Sequence, residues 1–300
     1  MRRLGTSLVG LILPALAGCG LADEPLPANA PGPVVNRPKV QGKLRLHLRE
    51  RKPDPAGGGK FVAVERTEDW DVARTAIIVC DMWDDHYCKS AAQRVGVMVP
   101  KMNAVLTAAR NHGVMIIHAP SGTMSMYEGT PYRERMKRTP PAKPPVPIGG
   151  WCNLDPKREP ELPVDTSVCA CDDPVVGPAV RRYSRQHPGL DVTGFDGVSD
   201  SGQEIYNFCE QEGIDNIALM GVHTNMCVLG RSFGIRQMVR LGKNVVLVRD
   251  LTDAMYDPRQ PPHVSHARGT ELVIEHIERY WCPSIRSEDL TEVLPGSAGP

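Results

Sequence analysis

From residue 43 apolar positions alternate with polar ones: Leu44, Leu46 and Leu48 are interleaved with Lys43, Arg45 and His47. Lys60-Phe61-Val62-Ala63-Val64 follows across a Gly-rich turn, and the pair predicts a β-hairpin within 41–70, ahead of the main domain. The period then changes. Thr75 to Cys80 is a continuous apolar run ending at Asp81, which reads as a buried strand. Residues 90–112 predict a helix and Val114 to His118 a second buried strand. After a gap the β/α rhythm resumes at Leu190-Asp191-Val192, and Ser201-x-x-Glu204 opens a helix to about Glu212. Strand 216–220, helix 225–241, strand 244–248 and a helix near 264–280 complete the series. Buried strands alternating with helices imply an α/β fold: a three-layer, doubly wound, mostly parallel sheet in one domain over 71–290. Such sheets bind ligands at the carboxyl ends of their strands.

Between Arg138 and Pro178 no period survives; ten prolines and three cysteines occur there. An irregular stretch of this length inside a compact domain is commonly functional. It is expected to emerge near the strand ends as a lid, with Trp151 and Tyr183 as apolar wall. Cys152, Cys169 and Cys171 fall within it, and a disulfide among them is expected to staple it. Zinc is the other use for Cys-Ala-Cys with a distant cysteine, although paired Cys-x-x-Cys spacing is missing. Cys80 and Cys209 sit in apolar patterns and are expected in the core.

The N-terminus changes the picture of where the chain works. Arg2-Arg3, an apolar stretch from Leu8 to Leu16, and Leu16-Ala17-Gly18-Cys19 read as a secretory signal with a lipobox over 1–19. Cys19 would be the lipidated first residue, and the Pro/Ala/Gly-rich residues 20–40 a flexible tether. The expected location is the periplasm or the outer membrane, with the lipid anchor as membrane partner; cleavage near Ala22 would instead release a soluble secreted protein. The chain carries 35 basic and 35 acidic residues, and loss of Arg2 and Arg3 leaves 33 against 35. With no basic stripe, nucleic acid is not an expected partner.

Two residues carry the candidate chemistry. In Gly221-Val222-His223-Thr224-Asn225-Met226-Cys227 the cysteine opens a helix directly after a strand. A thiol at a helix start faces unpaired N–H groups that favour thiolate; the alternative is a small apolar side chain packing helix against sheet. Asp81 ends another strand, so both would enter one crevice, where a carboxylate beside a thiol acts as its proton acceptor and later donor.

Ile77-Ile78-Val79-Cys80-Asp81-Met82, Gly221-Val222-His223-Thr224-Asn225-Met226-Cys227-Val228 and the stretch Val245 to Asp250 resemble the isochorismatase-like cysteine hydrolases, the superfamily of nicotinamidases and N-carbamoyl-amine amidases, over roughly 75–285. The resemblance implies that Cys227 is the nucleophile and Asp81 its base and acid. It also implies a cis peptide before His223, with backbone N–H groups at His223 and Cys227 forming the oxyanion hole. Trp83, Asp85, His118 and Thr224 are the candidate pocket residues.

The chain departs from that family twice. The family's third catalytic residue is a lysine, whose spacing falls near Gly194, within Asp191-Val192-Thr193-Gly194-Phe195-Asp196. No lysine is there; Arg182 and Arg185, near Arg181, are the candidate surrogate cations, or else a solvated surface run. Nicotinamidases also carry an Asp-x-His metal motif after the second strand, where this chain has His118-Ala119-Pro120-Ser121. No metal of that kind and no cofactor are therefore expected; Asp84, Asp85, His86 and Cys88 are metal-capable but cannot all converge as near neighbours. His223 stands where the family commonly has a small residue, placing an imidazole near Cys227 or turned into packing.

The expected function is an exported cysteine hydrolase acting on a C–N bond of a small amide or related carbonyl substrate. The alternative is a catalytically impaired, lipid-anchored binding or assembly module. A dithiol redox protein is disfavoured without Cys-x-x-Cys. An open sheet of this kind can also pair subunits into a homo-oligomer.

Overall fold

The computed structural model describes residues 36–38 and 40–294. The signal, Cys19 and most of the tether lie outside the described residues, and no helix among those described is long and apolar enough to cross a membrane.

One eight-stranded sheet organises the chain. Its strands are β1 (Lys43–Pro53), β2 (Phe61–Asp71), β3 (Thr75–Cys80), β4 (Met115–Ala119), β5 (Gly197–Val198), β6 (Asn216–Val222), β7 (Asn244–Asp253) and β8 (Ser284–Ile285). They lie in the order β2-β1-β8-β7-β6-β3-β4-β5. The run from β8 to β5 is parallel, and β1 pairs antiparallel with both β2 and β8. The hairpin is thus continuous with the main sheet rather than a separate appendage. Its alternation explains this: Leu44, Leu46 and Leu48 are buried while their neighbours are exposed.

The helices are α1 (Lys89–Asn111), α2 (Pro131–Lys137), α3 (Gly202–Glu212), α4 (Cys227–Gly230), α5 (Ile235–Arg240) and α6 (His266–Tyr280). On one face of the sheet Val95, Met102 and Leu106 of α1 pack on Ile77, Val79, Ile116 and Met220. On the other, Phe208, Met238 and Ile277 of α3, α5 and α6 cover Ile78, Ile117, Leu219 and Leu247. Each such side chain contributes about 1.5–3 kcal/mol on burial, so the two layers fix the sheet between them.

Three expectations need correction. Leu190-Asp191-Val192 is not a strand; the edge strand is the two-residue β5, and the chain remains irregular until it. The expected helix 225–241 is two short helices broken at 231–234, where Gly230 and Gly234 weaken helical continuity. No disulfide staples the insertion: the eight cysteines among the described residues are free. Cys152 instead donates to Gln237 Oε1 at 3.1 Å, and Cys171 turns toward Cys88 on the far side.

Salt bridges and helix caps hold the insertion instead. Glu159, almost fully buried, accepts from Arg236 Nε, His276 Nε2 and Trp281 Nε1 at 2.7–2.8 Å. At its other end Asp172 pairs with Arg94, and Asp173 accepts the N–H groups of Lys89 and Ser90 at 2.8 Å each. Asp173 therefore caps α1 from a distant part of the chain.

Candidate active site

Strand order reverses between β3 and β6, the two neighbours at the centre of the parallel run. Asp81 follows β3 and Cys227 opens α4 just after β6, so both stand at the switch point. The strands approach closely at their ends, where Cys80 is in register with Gly221. A Cβ on Gly221 would lie 2.1 Å from the Cys80 carbonyl oxygen, so only glycine fits.

Asp81 is fully buried and adopts φ 48°, a left-handed conformation uncommon for a non-glycine residue. Its N–H donates to the Ala119 carbonyl and its own carbonyl accepts from Trp83 N–H, which hold that turn. One carboxylate oxygen accepts the Ser121 N–H at 2.7 Å; the other accepts Arg231 Nε at 3.0 Å, with a second guanidinium nitrogen also at 3.0 Å. The Cys227 thiol completes the group, within hydrogen-bonding reach of both Asp81 and Arg231.

The cation at Asp81 is therefore Arg231, not Arg182 or Arg185. The helix break delivers it: at the end of α4 Arg231 leaves helical geometry (ψ 159°), and its side chain returns toward β3. Arg182 and Arg185 flank a segment tied elsewhere, where Ser184 donates to Asp84 and the Arg185 carbonyl accepts from Asp84 N–H. The signal that could have found Arg231 was its position one helical turn past Cys227, beside two helix-weakening glycines.

Burial, with Asp81 next to it, pushes the Cys227 thiol well above its usual range, and Arg231 only partly opposes this. A four-residue helix does not supply the thiolate stabilisation expected from a helix start. Burial also raises Asp81, against the charge of Arg231 and the hydrogen bonds from Cys227 and Ser121. Burial thus works against the charged form of both groups, and Arg231 favours it in both.

The turn before Cys227 contains a cis peptide between Val222 and His223. Asn225 locks the turn to the end of β7, donating to the Met255 carbonyl and accepting from Met255 N–H. The Cys227 N–H is at the first residue of α4, where no preceding helical carbonyl can accept it. The His223 imidazole is buried, edge-on to His86 at 5.2 Å, and its Nε2 has no hydrogen-bond partner. Burial, then His86, lowers its pKa to about 3, so it is neutral.

The candidate pocket residues divide. Trp83 lies against the site, donating to the Ser121 carbonyl and stacking on Tyr183 at 4.2 Å. Asp85 faces outward and pairs with Lys89. His118 is buried between Gln186 and Asp196, the latter also held by Arg110. Thr224 is fully buried, its hydroxyl bonded to Thr252 at 2.7 Å. His118 and Thr224 are thus scaffold, because the alternation of their strands and turn directs them into packing rather than the crevice.

The insertion does reach the site. A single antiparallel bridge pairs Trp151 with Arg231, Cys152 N–H donates to the Gly230 carbonyl at 2.6 Å, and the guanidinium lies 5.6 Å from the Trp151 ring. A Cβ on Gly230 would meet Trp151 at 2.6 Å. Gly230→Ala should therefore displace Trp151 and change tryptophan emission while leaving global unfolding nearly intact. Unchanged emission would show that the contact is loose.

No family model matches the chain, and no curated protein matches it. Among solved structures it is similar to a cysteine hydrolase from Pseudomonas syringae pv. phaseolicola 1448A, at 18% identity and TM-score 0.45, covering 74% of this chain and 92% of that one. It is also similar to an isochorismatase from Pseudomonas putida KT2440, at 15% identity and TM-score 0.43, covering 72% and 90%. A third is an isochorismatase-like hydrolase from Alkaliphilus metalliredigens, at 15% identity and TM-score 0.42, covering 74% and 98%. The functional reading rests on the site residues, not on these likenesses. The mostly parallel sheet, covered by helices on both faces and reversing order between β3 and β6, is the three-layer α/β arrangement that the alternating pattern implied.

Proposed function

We propose that this protein is a cysteine hydrolase that cleaves a C–N bond in a small amide or related carbonyl compound. The observation that carries the reading is the buried Asp81 carboxylate, shared by Ser121 N–H, Arg231 and the Cys227 thiol. Cys227 transfers its proton to Asp81 as sulfur bonds to the carbonyl carbon. The resulting oxyanion is received by the N–H groups of His223 and Cys227. Collapse breaks the C–N bond, Asp81 returns the proton to the leaving nitrogen, and a thioester remains. Water then attacks the thioester, losing its proton to Asp81; the acid departs and the thiol regains that proton. Arg231 cannot relay protons, so its part is to hold and orient Asp81.

The cation that Arg231 brings to Asp81 supports this reading over a catalytically impaired binding module on the same fold. The test combines a screen of small amides for amine release with Cys227→Ala and Asp81→Asn variants. Loss of turnover in both, with folding intact, supports the reading; turnover surviving in Cys227→Ala sinks it. A further result is expected in the absence of substrate. Because Asp81 raises the thiol, Asp81→Asn leaves Arg231 free to pair with thiolate, and iodoacetamide should alkylate Cys227 faster than in the wild type. Slower alkylation would mean that Asp81 activates the resting thiol.

The lipobox motif is the ground for proposing that this chemistry works outside the cytoplasm on a lipid anchor. Cys19→Ser should then move the protein from the membrane to the soluble fraction; unchanged fractionation would refute the anchor.

A further inference from the structure

At the start of α1, away from the Asp81–Cys227 pair, two thiols and a carboxylate converge from separate parts of the chain. The sulfur of Cys88, the sulfur of Cys171 and a carboxylate oxygen of Asp173 all lie within 4.8 Å of one another, and all three residues are buried. Cys88 Sγ is 3.6 Å from Asp173 Oδ1 and 3.6 Å from Asp172 Oδ1. Two free thiols and a carboxylate thus face one small volume, with no charged donor among the described residues placed between the two sulfurs and the Asp173 oxygen. A shared cation held by two thiolates and the carboxylate would join the three.

We propose that Cys88, Cys171 and Asp173 form a site for a thiophilic divalent cation, zinc in preference to magnesium or calcium, which fastens the insertion to the N-terminus of α1. Two sulfurs and one oxygen suit zinc and not the oxygen-seeking cations. The spacing suits it as well. Tetrahedral zinc, with Zn–S of about 2.3 Å and Zn–O of about 2.0 Å, sets its S···O edge at about 3.5 Å. That is close to the 3.6 Å between Cys88 Sγ and Asp173 Oδ1.

The surroundings complete the argument. Asp173 is oriented by the N–H groups of Lys89 and Ser90, a fixed outer shell of the kind that metal-binding carboxylates use. Arg259 donates to the carbonyls of Cys171 and Asp173, which fixes the backbone that carries two of the ligands. Binding converts both thiols to thiolates and releases two protons to solvent, while a water molecule fills the fourth position. Met226, the residue before Cys227, packs against the apolar cluster that contains Cys88 and Cys171. Its role is to set the position of the insertion.

The experiment titrates the full chain, reduced and stripped with a chelator, first with cobalt(II) and then with zinc. The expected result is one ion per chain, a thiolate-to-cobalt charge-transfer band that zinc removes, and proton release that scales with buffer ionisation. Cys88→Ser and Cys171→Ser should each weaken binding roughly a hundredfold. Asp173→Asn, which keeps an oxygen to cap α1, should also weaken it. Cys169→Ser and Cys152→Ser should bind as the wild type does, and near-ultraviolet circular dichroism shows that each variant is folded. Absence of the charge-transfer band in the wild type would overturn the proposal. So would its survival in folded Cys171→Ser, or a Cys88–Cys171 disulfide in unreduced protein that persists when metal is supplied under reducing conditions.

Discussion

Arg231→Ala should cost the protein both stability and turnover, while Arg231→Lys should restore most of the first and only part of the second. Asp81 is fully buried, and Arg231 is the cation that pairs with it. Removing one partner leaves a carboxylate uncompensated in a low-dielectric interior, which typically costs about 3–5 kcal/mol. Arg231 retains some solvent contact, so the lower end, about 3 kcal/mol, is expected. Part of that loss is relieved when Asp81 takes up a proton, and the variant's deficit should therefore shrink at acid pH. Turnover should fall roughly a hundredfold, because the base is no longer held against the thiol. Denaturant unfolding at neutral and acid pH, with kcat measured beside it, checks all three outcomes. Wild-type stability in Arg231→Ala would mean that the pair is a surface contact and that Asp81 rests protonated.

The second large effect is expected at Glu159→Ala. This carboxylate lies within the irregular insertion yet receives hydrogen bonds from Arg236, His276 and Trp281, all buried. Its loss strands one charged and two polar groups away from water. A cost of about 3–5 kcal/mol follows, a fall in Tm on the order of 10 °C for a domain this large. Glu159→Gln should cost less, since it keeps an acceptor. Although burial works against its charge, the three donors hold Glu159 down at about 2, against an ordinary 4.5. The sign follows from the depression: the unfolded chain binds the proton more readily. The stabilisation is thus complete above about pH 4.5 and is lost as pH falls toward 2. Limited proteolysis across that range should cut the insertion before the sheet unfolds. An insertion equally resistant at pH 3 and pH 6 would show that Glu159 does not anchor it.

Both effects arise from contacts that the sequence could not display. Arg231 reads as an ordinary helix residue until two glycines break the helix and send its side chain back to β3. Glu159 sits among prolines, and its partners follow more than 70 residues later. The cysteines of the insertion misled for the same reason: proximity in sequence suggested pairing, but Cys152 and Cys171 anchor at opposite ends of the segment.

The sequence by itself determined the alternation of buried strands and helices, the hairpin, the start of the irregular insertion and the placement of Asp81 and Cys227 at strand ends. These are local or periodic properties: side-chain polarity at a period of two or 3.6 decides which face is buried, and chain order decides which loops meet. Tertiary structure alone decided that Arg231 completes the Asp81–Cys227 group, that His118 and Thr224 belong to the scaffold, and that Cys88, Cys171 and Asp173 converge. Each depends on side chains from elements far apart in the chain, brought within a few ångströms by packing, and no periodicity records such a distance.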